Sequence, residues 1–255
     1  MDYDSLLELA GDLGYGLLES GAEIYRVEES IQRLLTAYGV PHPDPFVIPN
    51  CIIVSFRTPE GKSLTQVRRM PSHGTDVDLI ERYNDLCRRL CRETPALDEA
   101  RRQLELIGQT RRRYSFPVLM AAYWGVAASF CLFFGGTLWD ALCAGLCGLS
   151  IGLSLSALTR LHANLFFKSM LCAALSAFLA LGFSFLGLGQ HSQLIIIGSM
   201  MTLAPGLSFT NAIRDVMAGD MVAGITKLAD ALLTGVSVAL GTGFALALAR
   251  LFWGV

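Results

Sequence analysis

The carboxyl-terminal half of this 255-residue chain is almost empty of charge. No Asp, Glu, Lys or Arg occurs in residues 117–139, and none occurs in residues 141–159. A soluble domain can bury one such run but hardly several, so this absence excludes a soluble second half and points to lipid. The amino terminus lacks an apolar stretch. Met1-Asp2-Tyr3-Asp4 is acidic, which argues against a secretory leader and places the first half in the cytoplasm as an expectation. Carboxylates deep inside the apolar runs are missing too. Asp140, Asp215, Asp220 and Asp230 all fall near run ends, against an internal relay of buried acids. Metal-ligand spacing is also absent. Of the seven cysteines, Cys87/Cys91 and Cys143/Cys147 stand one helical turn apart with no His or further Cys at ligand distance. The cysteines read as small buried hydrophobes in a reducing compartment. Neither a metal, a cofactor nor a nucleic-acid partner is expected.

The first half carries nearly all the charge. Leu6, Leu9, Leu13 and Leu17 form one helical stripe, and Ile24, Val27, Ile31, Leu34 and Leu35 form a second, which Gly39-Val40-Pro41 stops. Residues 46–56 are apolar and β-branched. A Thr58-Pro59-Glu60-Gly61 turn and an alternating stretch at 63–69 complete an expected β-hairpin. Residues 76–92 and 98–111 read as two further amphipathic helices. Ser72 and His73 with Asp76 superficially offer a nucleophile, a base and an orienter, but at arbitrary spacing in a Pro/Gly loop. Glu23, Arg26 and Glu29 recur at three-residue steps near one helix face. They fit either a solvated charged face or a docking face for the membrane half or a partner.

In the second half, residues 116–134, 138–158, 166–188, 194–213 and 228–251 are each long enough to cross a hydrocarbon layer of about 30 Å. Arg111, Arg112 and Arg113 precede the first span. Arg160 and Lys168 flank the second and third, and Arg214 and Lys227 the fourth and fifth, while the intervening loops carry no Lys or Arg. This alternation puts the amino terminus inside and the carboxyl terminus outside, with Arg250 free to snorkel. Ala144, Gly148, Gly152 and Ser156 form a small-residue stripe that continues to Arg160 and suits close helix packing. Asp230, Thr234, Ser237 and Gly241 share one face of the fifth span, fitting a pathway lining or a subunit contact. The fourth span contains Pro205-Gly206 midway. Pro removes a donor and Gly loosens the chain, so a break is expected near the midplane. Such a break exposes the amino-terminal end of a half-helix, which attracts an anion. Ser208, Thr210 and Asn211 add neutral ligands in its first turn. Arg214 and Asp215 follow, and Asp220 and Asp230 are further positions for a pathway or coupling role. The fold class expected is mainly α: a small cytoplasmic α+β domain over residues 1–113, then a bundle of about five transmembrane helices over residues 114–255.

Two motifs, Ser20-Gly21-Ala22-Glu23-Ile24-Tyr25-Arg26-Val27-Glu28-Glu29 and Ala204-Pro205-Gly206-Leu207-Ser208-Phe209-Thr210-Asn211-Ala212-Ile213-Arg214-Asp215, with Ser55-Phe56 and Gly219-Asp220, resemble the bacterial threonine/serine exporter family. The resemblance implies a cytoplasmic amino-terminal domain and ten membrane spans in two unlike halves of five. Ending after five, this chain is similar to the family's split form, succinate exporters included, in which a larger subunit works with a separate small five-span subunit. The resemblance implies export of a small carboxylate such as succinate across a bacterial inner membrane by a two-subunit, non-enzymatic complex. Export of threonine or serine, or a membrane-anchored enzyme with a catalytic cytoplasmic domain, are the alternatives.

Overall fold

The computed structural model describes residues 2–71, 74–110, 114–161 and 163–253. Ser72 with His73, and the Arg111, Arg112, Arg113 run, lie outside the described residues. The chain divides into two compact units, Met1–Arg112 with Ser208–Leu228, and Arg113–Leu207 with Ala229–Val255.

The first unit opens on α1 (Tyr3–Glu19), capped by the Asp2 carboxylate, which accepts from the Asp4 and Ser5 amides. Its predicted leucine stripe is the buried face: Leu6, Leu9, Leu13 and Leu17 are all sealed from solvent. The chain then turns through Gly21 at φ +89°, where a side chain would drive its Cβ to 2.4 Å from the Gly74 carbonyl. α2 (Ile24–Ala37) follows, with Ile24, Val27, Ile31, Leu34 and Leu35 buried against α1. Three antiparallel strands, β1 (Asp44–Ile48), β2 (Cys51–Arg57) and β3 (Ser63–Arg69), pair in chain order. The stretch expected as one strand at 46–56 is therefore two. Pro49 cannot donate to a ladder and Asn50 favours turns, so the chain reverses there and Ile48 pairs with Cys51. Alternation along β2 puts Ile52, Val54 and Phe56 in the core. α3 (Val77–Glu93), capped by Asp76, and α4 (Leu97–Gln109) complete this part. Full burial of each core leucine or isoleucine contributes about 1.5–3 kcal/mol, and Ala223, from far along the chain, belongs to the same core.

The second unit is helical. α5 (Phe116–Phe133), α6 (Leu138–Arg160), α7 (Leu165–Phe185) and α10 (Met221–Trp253) are, among the described residues, the helices long and apolar enough to cross a membrane. The fourth span is broken where the sequence leads one to expect it, into two short helices, α8 (Ser192–Met200) and α9 (Gly206–Ala218, most of it in the first unit), with residues 201–205 between them non-helical. The small-residue stripe of α6 is its seam with α5. A Cβ on Gly148 would lie 2.5 Å from the Tyr123 carbonyl oxygen, and one on Gly152 would meet the Tyr123 ring. Gly198 lets α8 close on α5 at Cys131, and Gly241 lets α10 close on α7 at Met170. Asp140, fully buried at the start of α6, completes a capping box with Thr137 and accepts from the Gln190 and His191 amides and from His191 Nδ1. This carboxylate pins the α7–α8 connection to α6.

Candidate functional site

α9 ends at Gly219 (φ +101°), and the chain reverses at Asp220 into α10. The two helices meet so closely that a Cβ on Gly224 would lie 2.9 Å from the Ala212 carbonyl oxygen. That approach lays Lys227 over Asp215. Lys227 Nζ donates to Asp215 Oδ2 at 2.7 Å, with the lysine side chain 11% exposed and the aspartate fully buried. The other oxygen of Asp215 accepts from the Ile24 amide at 3.3 Å. Ile24 is the first residue of α2, so its N–H is one of the four that a helix start leaves without an internal partner. Asp215 caps that helix from 191 residues away and places negative charge at its positive end.

Beside it, Arg214 Nη1 donates to Glu23 Oε1 at 2.5 Å, and Arg26 Nε lies 3.2 Å from Glu23 Oε2. One carboxylate thus holds two guanidinium groups. Burial works against its ionisation, but its own backbone N–H and the Arg214 and Arg26 charges outweigh that, and Glu23 titrates below the ordinary carboxylate value. Two neighbouring acids move the other way. Burial raises the Asp220 carboxyl, with the Asp215 charge adding to it and Lys227 opposing. Burial likewise raises Glu28, whose Oε1 accepts from the Val47 amide at 2.8 Å.

The segments brought together are the two carrying the strongest sequence signals, the Ala22-Glu23-Ile24-Tyr25-Arg26 start of α2 and the Asn211-Ala212-Ile213-Arg214-Asp215 stretch of α9. A family described as “Putative threonine/serine exporter” matches residues 8–249, almost the whole chain. The chain belongs to that exporter family. A protein of Mycobacterium tuberculosis described as a probable threonine/serine exporter is 22% identical over 237 residues, 92% of this chain and 45% of that protein. The chain therefore spans less than half the length of that relative. No solved structure matches it.

Within this exporter-family chain, the residues singled out from the sequence fall into three places. Pro205 ends the interruption, and Gly206, Ser208, Thr210 and Asn211 form the opening turns of α9. Arg214 and Asp215 lie two turns further on, eight and nine residues past Gly206, and bond to α2. Asp230, Thr234, Ser237 and Gly241 run along α10, where the Thr234 hydroxyl donates to the Asp230 carbonyl and the buried Ser237 hydroxyl to the Thr234 carbonyl. Arg160 is the last residue of α6 and is exposed. The trio at three-residue steps splits. Glu23 and Arg26 join Arg214, whereas Glu29 turns to Arg33 at 2.5 Å. Sequence reasoning missed Lys227 as the partner of Asp215, and the Ile24 amide as the group Asp215 caps. The signal available was that a buried aspartate needs a counter-charge, and Lys227 is the next cation along the chain.

Proposed function

We propose that this chain is one subunit of a secondary exporter of small carboxylate-bearing metabolites. It acts in a bacterial inner membrane with its amino terminus in the cytoplasm and its carboxyl terminus outside. The observation that carries this is the interruption at residues 201–205 with α9 restarting at Gly206. The nine residues of α8 rise about 14 Å, close to half of a layer of about 30 Å. The restart thus sets a helix amino terminus at membrane depth, where its dipole favours a carboxylate. Pro205 and Gly206 make the break, and Ser208, Thr210 and Asn211 supply neutral ligands. Membership in an exporter family favours this over a membrane-anchored enzyme.

In this proposal the chain works in a two-subunit complex with a separate small five-span subunit. The substrate in this proposal is a succinate-like dicarboxylate. Its first carboxylate lies at the α9 start, and its second draws on Arg214, which exchanges Glu23 for the solute while Arg26 keeps Glu23 paired. Arg160, Asp220, Asp230, Thr234 and Ser237 line or couple the pathway. A second reading, a hydroxy amino acid, is favoured by the family's description and needs no exchange at Arg214.

Efflux of labelled succinate and of labelled threonine, measured from cells expressing this chain and the small subunit singly and together, tests the proposal. Export is expected only with both present, and Arg214→Ala abolishes it while leaving the protein in the membrane. Undiminished succinate efflux from that variant removes Arg214 from the mechanism. Efflux of neither solute overturns the exporter proposal for these substrates.

A further inference from the structure

A hollow of about 270 Å³ opens between α2 and α3 of the amino-terminal unit. Arg26, Arg33 and Arg88 line it together with Ser30, Asn84 and Glu29. Three guanidinium groups thus face one carboxylate, and that carboxylate is already bound to Arg33. Arg88 has no ion-pair partner among the described residues. Ser30 is more than nine-tenths buried, and its side chain meets the Cys87 thiol. Asn84 donates to the Ile80 carbonyl, which leaves its own oxygen and second N–H for the hollow. At about 30 Å³ per water, the space holds roughly nine waters, room for an oxyanion of a few heavy atoms.

We propose that this hollow binds a small oxyanion of the carboxylate or phosphate type, gripped by Arg88 and Arg33, with Arg26 swinging in from Glu23. Guanidinium forks match the paired oxygens of either group. Arg26 is the link to the rest of the molecule. It lines the hollow and also touches Glu23, the carboxylate that holds Arg214. An anion in the hollow therefore competes with Glu23 for Arg26 and leaves Glu23 to Arg214 alone, tightening the hold of α2 on α9. This makes the hollow an effector site through which a soluble anion reaches α9. The site does not depend on which solute the membrane half carries.

Calorimetric titration of the full chain in detergent, with inorganic phosphate and with succinate in separate runs, tests this. Saturable binding of at least one, weakened by added salt, is expected. Phosphate alone assigns the site to phosphate chemistry, and succinate binding that Arg88→Ala weakens assigns it to carboxylates, whereas succinate binding that Arg88→Ala leaves intact belongs to the start of α9. Arg88→Ala, which breaks no ion pair among the described residues, weakens binding tenfold or more. Arg57→Ala, on β2 and outside the hollow, leaves it unchanged. Glu23→Gln releases Arg26 and tightens binding severalfold. Absence of saturation with both anions, or equal binding by the Arg88→Ala variant, overturns the site. Unchanged affinity in Glu23→Gln overturns its connection to α9.

Discussion

Asp215 and Lys227 meet with the carboxylate wholly out of water and the ammonium almost so. Desolvating two ions is costly, and their attraction offsets that cost only while both remain. Asp215→Asn keeps an oxygen for the Ile24 amide but strips Lys227 of its counter-charge. That substitution is expected to destabilise the full chain by about 3–5 kcal/mol, whereas Asp215→Asn with Lys227→Met recovers most of the loss because no lone ion is left behind. Thermal unfolding in detergent measures both, and a single variant as stable as the parent contradicts the assignment. Cys91 offers a second check on side-chain surroundings. A hydrogen bond from Cys87 draws its thiol down to about 7, with burial opposing and Arg33 assisting. Since thiolate is the reactive form, alkylation of Cys91 should reach half its limiting rate near pH 7, and Cys87→Ala should move that midpoint upward toward the ordinary thiol value. A parent midpoint already near 9 would show that the two thiols do not interact.

At the scale of elements, glycines decide how closely helices approach. The Cβ of a residue at 241 would lie 2.1 Å from the Met170 carbonyl oxygen, and at 148 it would lie 2.5 Å from that of Tyr123. Backbone cannot swing aside as a side-chain tip can, so Gly241→Leu and Gly148→Leu are each expected to cost about 1–3 kcal/mol or more. Gly243→Leu, where a Cβ meets nothing within 4 Å, is the matched control. Loss of folded protein after detergent extraction in the first two, with the control at parental yield, is the outcome that supports close packing. The α6 stripe was legible because four-residue spacing of small residues has one geometric consequence. The amphipathic stripes of α1 and α2 were legible for the same reason, and so was the break at Pro205-Gly206. The partner of α9 was not. Spacing gives the face of a helix but not what lies against it, and the bond from Asp215 to the Ile24 amide joins segments 191 residues apart. The reversal at Pro49-Asn50 was hidden for a local reason, since apolar residues on both sides made two strands look like one.

For the molecule as a whole, the interrupted helix decides topology. α5, α6, α7 and α10 can each cross the membrane unaided, and four crossings would return both termini to one side. α8 alone is too short to cross, at about 14 Å. The Met201, Thr202 and Leu203 amides donate to the Ile197, Ser199 and Met200 carbonyls, so the interruption is turned rather than extended and a full crossing of about 30 Å must also draw on α9. In the proposed topology a fifth crossing runs through α8, the interruption and the start of α9, and puts the termini on opposite sides. That topology would set Arg214 and Lys227 on the same side as Arg160 and Lys168, in keeping with the bias of basic residues toward the cytoplasm. Reporter fusions that are active on only one side of the membrane measure this directly. An amino-terminal fusion is expected to report the cytoplasm and a carboxyl-terminal one the outside. Both termini reporting the cytoplasm would mean that α8 and α9 re-enter without crossing. The anion-attracting start of α9 would then open to one side only, and alternating access across this segment would be ruled out.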